Sequence, residues 1–515
     1  MGKDVMVRQY SLAHLMLINS VVCGLEVSAS VGYTYLPPLL LKAGFCAATT
    51  GFILGIGPLL ALLSVPHMGR VADKSRWRLG RRRPVIFMFA AVLSTSLITI
   101  IIGQKVVKNA SGDASFTMIG AGLLMIGGVL LDYSSQAAFN PCEALLSDLL
   151  EGGSRSNVDA GFAVYSGLLS LGACLGYLIT AVRWPRPLSG SLLGGQEGAA
   201  CGVALALLLA SVVATGVAAK EESTLSLSVQ PGSSPLRAHR VDAGGNILCI
   251  AFRHGYGVLP LLRSPFHTLR RVTVSIFEMA FNVPRSVYTE VKKSPVVLQR
   301  LFVADVSSWA AITCHALFYT NYVGQVVYGG SPVAGVGTLH EALYNEGVRM
   351  GSWGLLLHSL TACGYTTFLQ DQMIRNYGLR WTYLCGLMTF SACMFGILVS
   401  SDIKLLNLFA AFSGVGFAAI TTIPNSLVAI YRSNQQTYFF DVREDRGSGE
   451  DFAVLDLAYY LGQILLSVVM SYIGQLLGQP QCYIIFAGLA GLASCYFANK
   501  VIFSPCQLSS LKGFN

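Results

Sequence analysis

Twelve stretches of this chain run for about 20 or more residues with hardly a charge, near 12–38, 49–69, 84–104, 116–147, 160–182, 199–219, 298–324, 347–370, 381–400, 403–431, 452–476 and 480–503. A helix of that length spans the ~30 Å hydrocarbon layer of a bilayer. Lipid offers the backbone no hydrogen-bond partners, so only helices or closed barrels cross it, and the runs lack the period-two alternation of barrel strands. Composition agrees. The 515 residues are 53% hydrophobic and 12% charged, with mean hydropathy +0.58, more apolar surface than soluble cores of this length could bury. The chain therefore reads as an all-α, multi-pass membrane protein. Its first apolar run is long enough to span and carries an acid, so it reads as a first membrane helix and not as a cleaved leader.

The runs fall into six, a long connection, and six. This suggests a six-helix bundle over 1–219, a cytoplasmic loop over 220–297 and a second bundle over 298–515. The loop opens on a Ser/Pro/Gly-rich stretch and later carries basic segments such as TLRRVTVSIF, expected to form short helices on the membrane surface. The net charge of +9 follows from topology, and no nucleic-acid partner is implied. With both termini cytoplasmic, only Lys42, Lys105, Lys108, Arg183, Arg186, Arg349 and Lys404 fall outside, and the other 28 of the 35 lysines and arginines fall inside. This orientation also puts the sequon Asn109-Ala110-Ser111 outside, which makes Asn109 the expected glycan site. The halves echo each other. Pro141 and Pro424 sit at matching places in the fourth and tenth runs, each preceded by a glycine cluster. The Asp371-x-x-x-Arg375-x-x-Gly378-x-Arg380 connection is a thin copy of the one after the second run.

That second connection reads Gly69-Arg70-Val71-Ala72-Asp73-Lys74, then Arg78-Leu79-Gly80-Arg81-Arg82-Arg83-Pro84. It resembles the gating signature of the major facilitator superfamily, in the R-x-G-R-R-R-P form of sucrose carriers and their animal relatives. Gly24-Leu25-Glu26, Tyr33 to Leu41, Leu54 to Pro58, Glu143 to Asp148, Leu175 to Leu178 and Glu346 to Ser352 are similar to the prostein-like members of these sucrose-transporter-like solute carriers, in the glycoside-pentoside-hexuronide:cation symporter branch. The resemblance implies a major facilitator fold of twelve transmembrane helices in two pseudo-symmetric halves. It also implies proton-linked sugar transport, with Gly69, Asp73, Gly80, Arg81, Arg82 and Arg83 as gating residues. Plant sucrose carriers place an arginine where this chain has Glu143, and D-W-M-G-R-E where it reads Asn321-Tyr322-Val323-Gly324-Gln325-Val326. The implied substrate is thus a sugar or polyol and not sucrose in particular.

An ionised carboxylate at the bilayer centre costs about 2.5 kcal/mol or more, so acids inside spans usually face a cavity and act there. Glu26, Asp132, Asp305 and Asp456 are such acids, and no lysine or arginine falls deep in a span to neutralise them. At about 100° per residue, Asp132, Gln136 and Glu143 share one helical face. Glu26, Ser30 and Tyr33 share another, and Asp456, Tyr460, Gln463 and Ser467 a third. These stripes predict a polar path, with Asp132 and Glu26 as proton-coupling residues. Gln136, Glu143, Tyr33, Asp305, Trp309, Asn321, Gln325, Asn425 and Asp456 are expected to line the substrate cavity. His14, His315 and His358 are read as packed, hydrogen-bonded side chains.

The functional expectation is secondary transport by alternating access, the proton being the coupling ion. The alternative is a transport-inactive receptor or scaffold on the same fold. No nucleotide loop, nucleophile motif or metal-ligand spacing suggests an enzyme, a cofactor or a metal site. A monomer in the plasma membrane or a vesicle membrane is expected, its partners being lipid, protons and a small solute.

Overall fold

The computed structural model describes residues 11–74, 80, 82–109, 114–150, 155–185, 195–219, 288–289, 291–335, 337–439, 448–477, 479–505 and 507–508. Its long helices are α1 (Leu12–Ile18), α2 (Ser20–Lys42), α3 (Ala47–Lys74), α4 (Arg83–Asn109), α5 (Ala114–Leu150), α6 (Arg155–Ala181), α7 (Gln196–Ala218), α8 (Val296–Tyr322), α9 (Leu339–Gly364), α10 (Gln370–Val399), α11 (Ile403–Ser433), α12 (Ser448–Leu477) and α13 (Gln481–Ala498). Nearly all of the 220–297 connection, with its expected surface helices, lies outside the described residues.

Ten continuous helical stretches are long and apolar enough to cross a bilayer, and α1 with α2, bent by 47°, makes one more. One of the ten, Leu339–Val399, is 61 residues long. At 1.5 Å per residue it would measure about 90 Å, three bilayer cores. Gly378 divides it, because its φ of 80° lies in the left-handed region that breaks a helix. Twelve crossings result among the described residues. Gly80, which precedes α4 as Gly378 precedes the ninth crossing, has φ 104°, so the two echoing connections turn on equivalent glycines.

The sequence places the first helix over 12–38 and the eighth over 347–370, and both differ in the structure. The first bends at Asn19, whose side-chain amide donates to the Leu15 carbonyl at 3.0 Å, and then runs through Pro37 and Pro38 to Lys42. The eighth starts at Leu339, capped by the Thr338 hydroxyl, and continues through a π-helical turn at Tyr365–Leu369. Helix ends are set by caps and tertiary contacts that hydropathy does not register.

Packing repeats with a shift of six in label. The pairs α2·α6, α2·α7, α3·α5, α4·α5 and α4·α7 recur as α8·α12, α8·α13, α9·α11, α10·α11 and α10·α13. The two sets meet through α3·α12, α6·α9 and α2·α8. Between helices in lipid, small residues permit close van der Waals approach. Gly51 and Gly55 of α3 face Ser471 and Ser467 of α12, and Gly172 and Gly176 of α6 face Cys23, Glu26, Val27 and Ser30 of α2. Large apolar side chains such as Met118, Val213 and Val468 point outward, as helices solvated by hydrocarbon require.

Candidate functional site

A cavity of about 10 Å³ lies where the two sets of six meet, lined by Tyr33 of α2, Leu54 and Pro58 of α3, Asp132 of α5, Thr313 of α8, and Gln463 and Ser467 of α12. It holds about one water molecule. Asp132 is its one acid. Its Oδ1 accepts from Gln136 Nε2 at 2.6 Å, one helical turn on. A methyl at Gly57 would lie 2.4 Å from Asp132 Oδ2, so glycine there is what admits the carboxylate against α3. Among the described residues, two buried side-chain oxygens beside it, Gln136 Oε1 and Gln463 Oε1, have no hydrogen-bond partner. Unpaired polar atoms in such a place call for donors from a ligand.

The other acids lie nearer the end where α5 finishes and α12 begins. Glu26 is half-buried on α2, flush against Gly172 of α6. Glu143 and Asp456 feel each other's charge, and both are exposed although protein surrounds them. They line the wall of a vestibule open at this end. Asn425 is also exposed, its amide donating to the Thr421 carbonyl of its own helix. Asp305 is almost fully buried within reach of the Asp456 charge, and it is hydrogen-bonded by Trp309 one turn on, whose ring meets Tyr459 edge-on at 4.7 Å.

The opposite end is sealed. Lys42 Nζ, at the end of α2, donates to Glu197 Oε1 of α7 at 2.5 Å and to Asn345 Oδ1 of α9 at 2.7 Å. Glu197 also takes Gln104 Nε2 at 2.8 Å and has Lys108 at 3.8 Å. Glu346 of α9 pairs with Arg183, beyond the end of α6, at 2.9 Å and with Arg349 of its own helix, which also donates to the Ala181 carbonyl. The Lys42–Asn345, Arg183–Glu346 and Arg349–Ala181 bonds tie the first six helices to the last six. Asn321 and Gln325 lie at this end, away from the cavity. Asn321 Oδ1 accepts from Gln325 at 2.9 Å and from the Tyr344 hydroxyl at 2.8 Å, and Lys42 sits over the Tyr344 ring.

Of the proposed gate, Gly69 and Asp73 fall on the last turns of α3, while Arg81 and the Asp73 side chain lie outside the described residues. Arg82 donates to Asp148 at 3.0 Å, and Arg83 donates to the Gly216 carbonyl beside Phe87. Arg432 pairs with Asp451 at 2.8 Å at the same end. These two ion pairs each stay within one set of six helices. Asn109, the last residue of α4, is exposed. His358 fits its reading by bonding Ser413 at 2.8 Å, but among the described residues both nitrogens of the buried His315 ring are unpartnered. Among the described residues no group of histidines, cysteines and acids could hold a metal.

The sealing residues Lys42, Glu197, Asn345, Arg183 and Glu346 are the functional residues that sequence reasoning missed. One signal was present: four of the seven cations assigned to the outside are the ones that hold Glu197 and Glu346.

No family model matches the chain. Over almost its whole length it resembles solved transporters. The nucleoside transporter NupG superposes with a TM-score of 0.57 at 12% identity, covering 95% of this chain and 99% of that one. A bacterial homologue of the human drug peptide transporters gives 0.56 at 13% identity, covering 98% and 100%. These likenesses show the major facilitator fold. By sequence the chain is 25% identical to the Homo sapiens membrane-associated transporter protein, over 94% of this chain and 92% of that one. It is 21% identical to the Homo sapiens proton-associated sugar transporter A, over 96% and 86%. It is 30% identical to the Mus musculus solute carrier family 45 member 3, over 96% of this chain and 97% of that one. A likeness of that level along both full lengths, on this helical frame, means that the chain belongs to solute carrier family 45.

Proposed function

We propose that this protein is a proton-coupled symporter of a sugar or polyol, working by alternating access with both termini in the cytoplasm. The observation that carries the reading is the cavity at the junction of the two helix sets, where one buried carboxylate, Asp132, stands among unpaired acceptors. Hydroxyl-rich solutes supply the donors those acceptors lack. A carboxyl alternately dry and wetted can take a proton on one side and release it on the other. The name of one relative, a proton-associated sugar transporter, supports the same class.

In this orientation the sealed end is external and the vestibule opens inward. The cavity's 10 Å³ is far below the roughly 300 Å³ of a small-ligand site, so substrate must separate the helix sets as it enters. The cycle then consists of breaking the Lys42 and Glu346 seal outside while the Arg82-bearing end closes inside.

Asp132→Asn tests the reading in proteoliposomes. The variant should lose accumulation of sugar against its gradient while retaining exchange, because exchange needs no net proton movement. Accumulation with the parent's dependence on pH would remove Asp132 from the coupling role.

A further inference from the structure

We propose that Asp305 and Asp456 form a second proton-binding site in the last six helices, Asp305 holding the proton and Asp456 serving as its way in from the vestibule. The inference deepens the symport reading and rests on it only for where the proton goes next.

Asp305 is 1% exposed and its Oδ1 has no hydrogen-bond partner among the described residues. An ionised carboxylate in that position would lack both water and a counter-charge, which lipid and protein interiors penalise by several kcal/mol. The titratable groups around it offer no cation. Asp456 on α12 is the charge that reaches it, Trp309 one turn on in α8 hydrogen-bonds its carboxyl, and Tyr383 of α10 feels its charge. No charged group of α2, α9 or α11 acts on it. The nearby hydroxyls are already engaged: Ser308 donates to the Ala304 carbonyl and shares a 2.5 Å bond with Ser494. Asp305 is thus kept dry by its neighbours, and apart from the Trp309 ring N–H that bonds its carboxyl it faces no donor or cation, which leaves Oδ1 for a proton.

Asp456 supplies the route. It lies on the exposed wall of the vestibule, where water keeps it in exchange with the bulk, and it is the ionisable group next to Asp305 on that side. In the first six helices Asp132 stands alone on its cavity. The valine at 415 occupies the place that matches Asp132 when Pro424 is set on Pro141, so the second site is no symmetry copy of the first. It arises on α8 and α12, whose partners in the repeat are α2 and α6.

Infrared difference spectroscopy of the full-length protein in detergent, exchanged between light and heavy water, reads the C=O stretch of protonated carboxyl groups and needs no transport. The parent at neutral pH should show such a band, and Asp305→Asn should lose it at an unchanged melting temperature. Asp456→Asn, altered on an exposed wall and expected to fold, should keep the band but slow its deuterium exchange by about tenfold or more, the scale of a lost proton relay. An Asp305→Asn protein that retains every carboxyl band overturns the proposal. So does an Asp456→Asn protein whose band exchanges at the parent's rate. In proteoliposomes the Asp305 variant should show a shallower dependence of uptake on proton concentration. If the parent moves no sugar while its band disappears in Asp305→Asn, symport fails and the proton site stands.

Discussion

At the residue scale, two acids hold the closed end. Glu197, 7% exposed, gathers Lys42, Lys108 and Gln104, and Glu346 gathers Arg183 and Arg349. Hydrogen bonds to charged groups contribute about 1.5–3 kcal/mol each where they are shielded from water. Glu346 is 30% exposed, which sets its contribution toward the lower figure. Glu346→Gln removes the charge attraction to Arg183 across α6 and α9, along with the one that orients Arg349 on its own helix, and should raise the population of molecules open at that end by roughly 10-fold. A cysteine placed at Leu36, on the cavity wall, in a Cys46→Ser background measures this through its labelling rate by an impermeant thiol reagent. An unchanged rate would mean that Glu346 is no part of the seal. Little of this seal was legible in the sequence. Lys42 and Glu197 are 155 residues apart, and Lys42 and Asn345 are 303 apart, so only the folded chain reveals the pairing. Local spacing fared better, for the helical face that places Gln136 beside Asp132 is the hydrogen bond that the structure contains.

At the element scale, hydropathy located every crossing, because a span must be apolar along its whole length to lie in lipid. It did not locate the ends. The extension of α2 past Pro37 and Pro38 is what delivers Lys42 to Glu197, and the proline pair masks it although Leu39, Leu40 and Leu41 carry the apolar run on. The short connection after α2 also carries a probe of topology. Cys46 is exposed just before α3, and its thiol lies below the usual cysteine range, first because the Thr49 hydroxyl bonds the sulfur and then because the Thr49 amide does. More of it is thiolate at neutral pH than in an ordinary exposed cysteine, so it should react readily with a charged maleimide. In intact cells the reagent should label the parent protein from outside, and Cys46→Ser should remove that labelling. Labelling that appears only after permeabilisation would invert the topology.

At the scale of the whole molecule, a pairing network that repeats with a shift of six places one cavity between two similar bundles, sealed on one side and open on the other. The faint echoes at Pro141 and Pro424 and at Gly80 and Gly378 made this symmetry legible, since proline and glycine fix backbone geometry and keep their places where other residues drift. The cavity's composition was partly legible, as stripes on α2, α5 and α12. Which stripe members converge was not, for Asp132 alone of the acids lines the cavity while Glu143 and Asp456 are exposed toward the open end. The account stands on protons and solute moving together. It is tested most directly by sealing a pH-sensitive dye inside proteoliposomes and adding sugar outside with no gradient imposed. The account predicts that the interior acidifies as sugar enters, and that Asp132→Asn abolishes the signal. Sugar entry with no change in interior pH would contradict it.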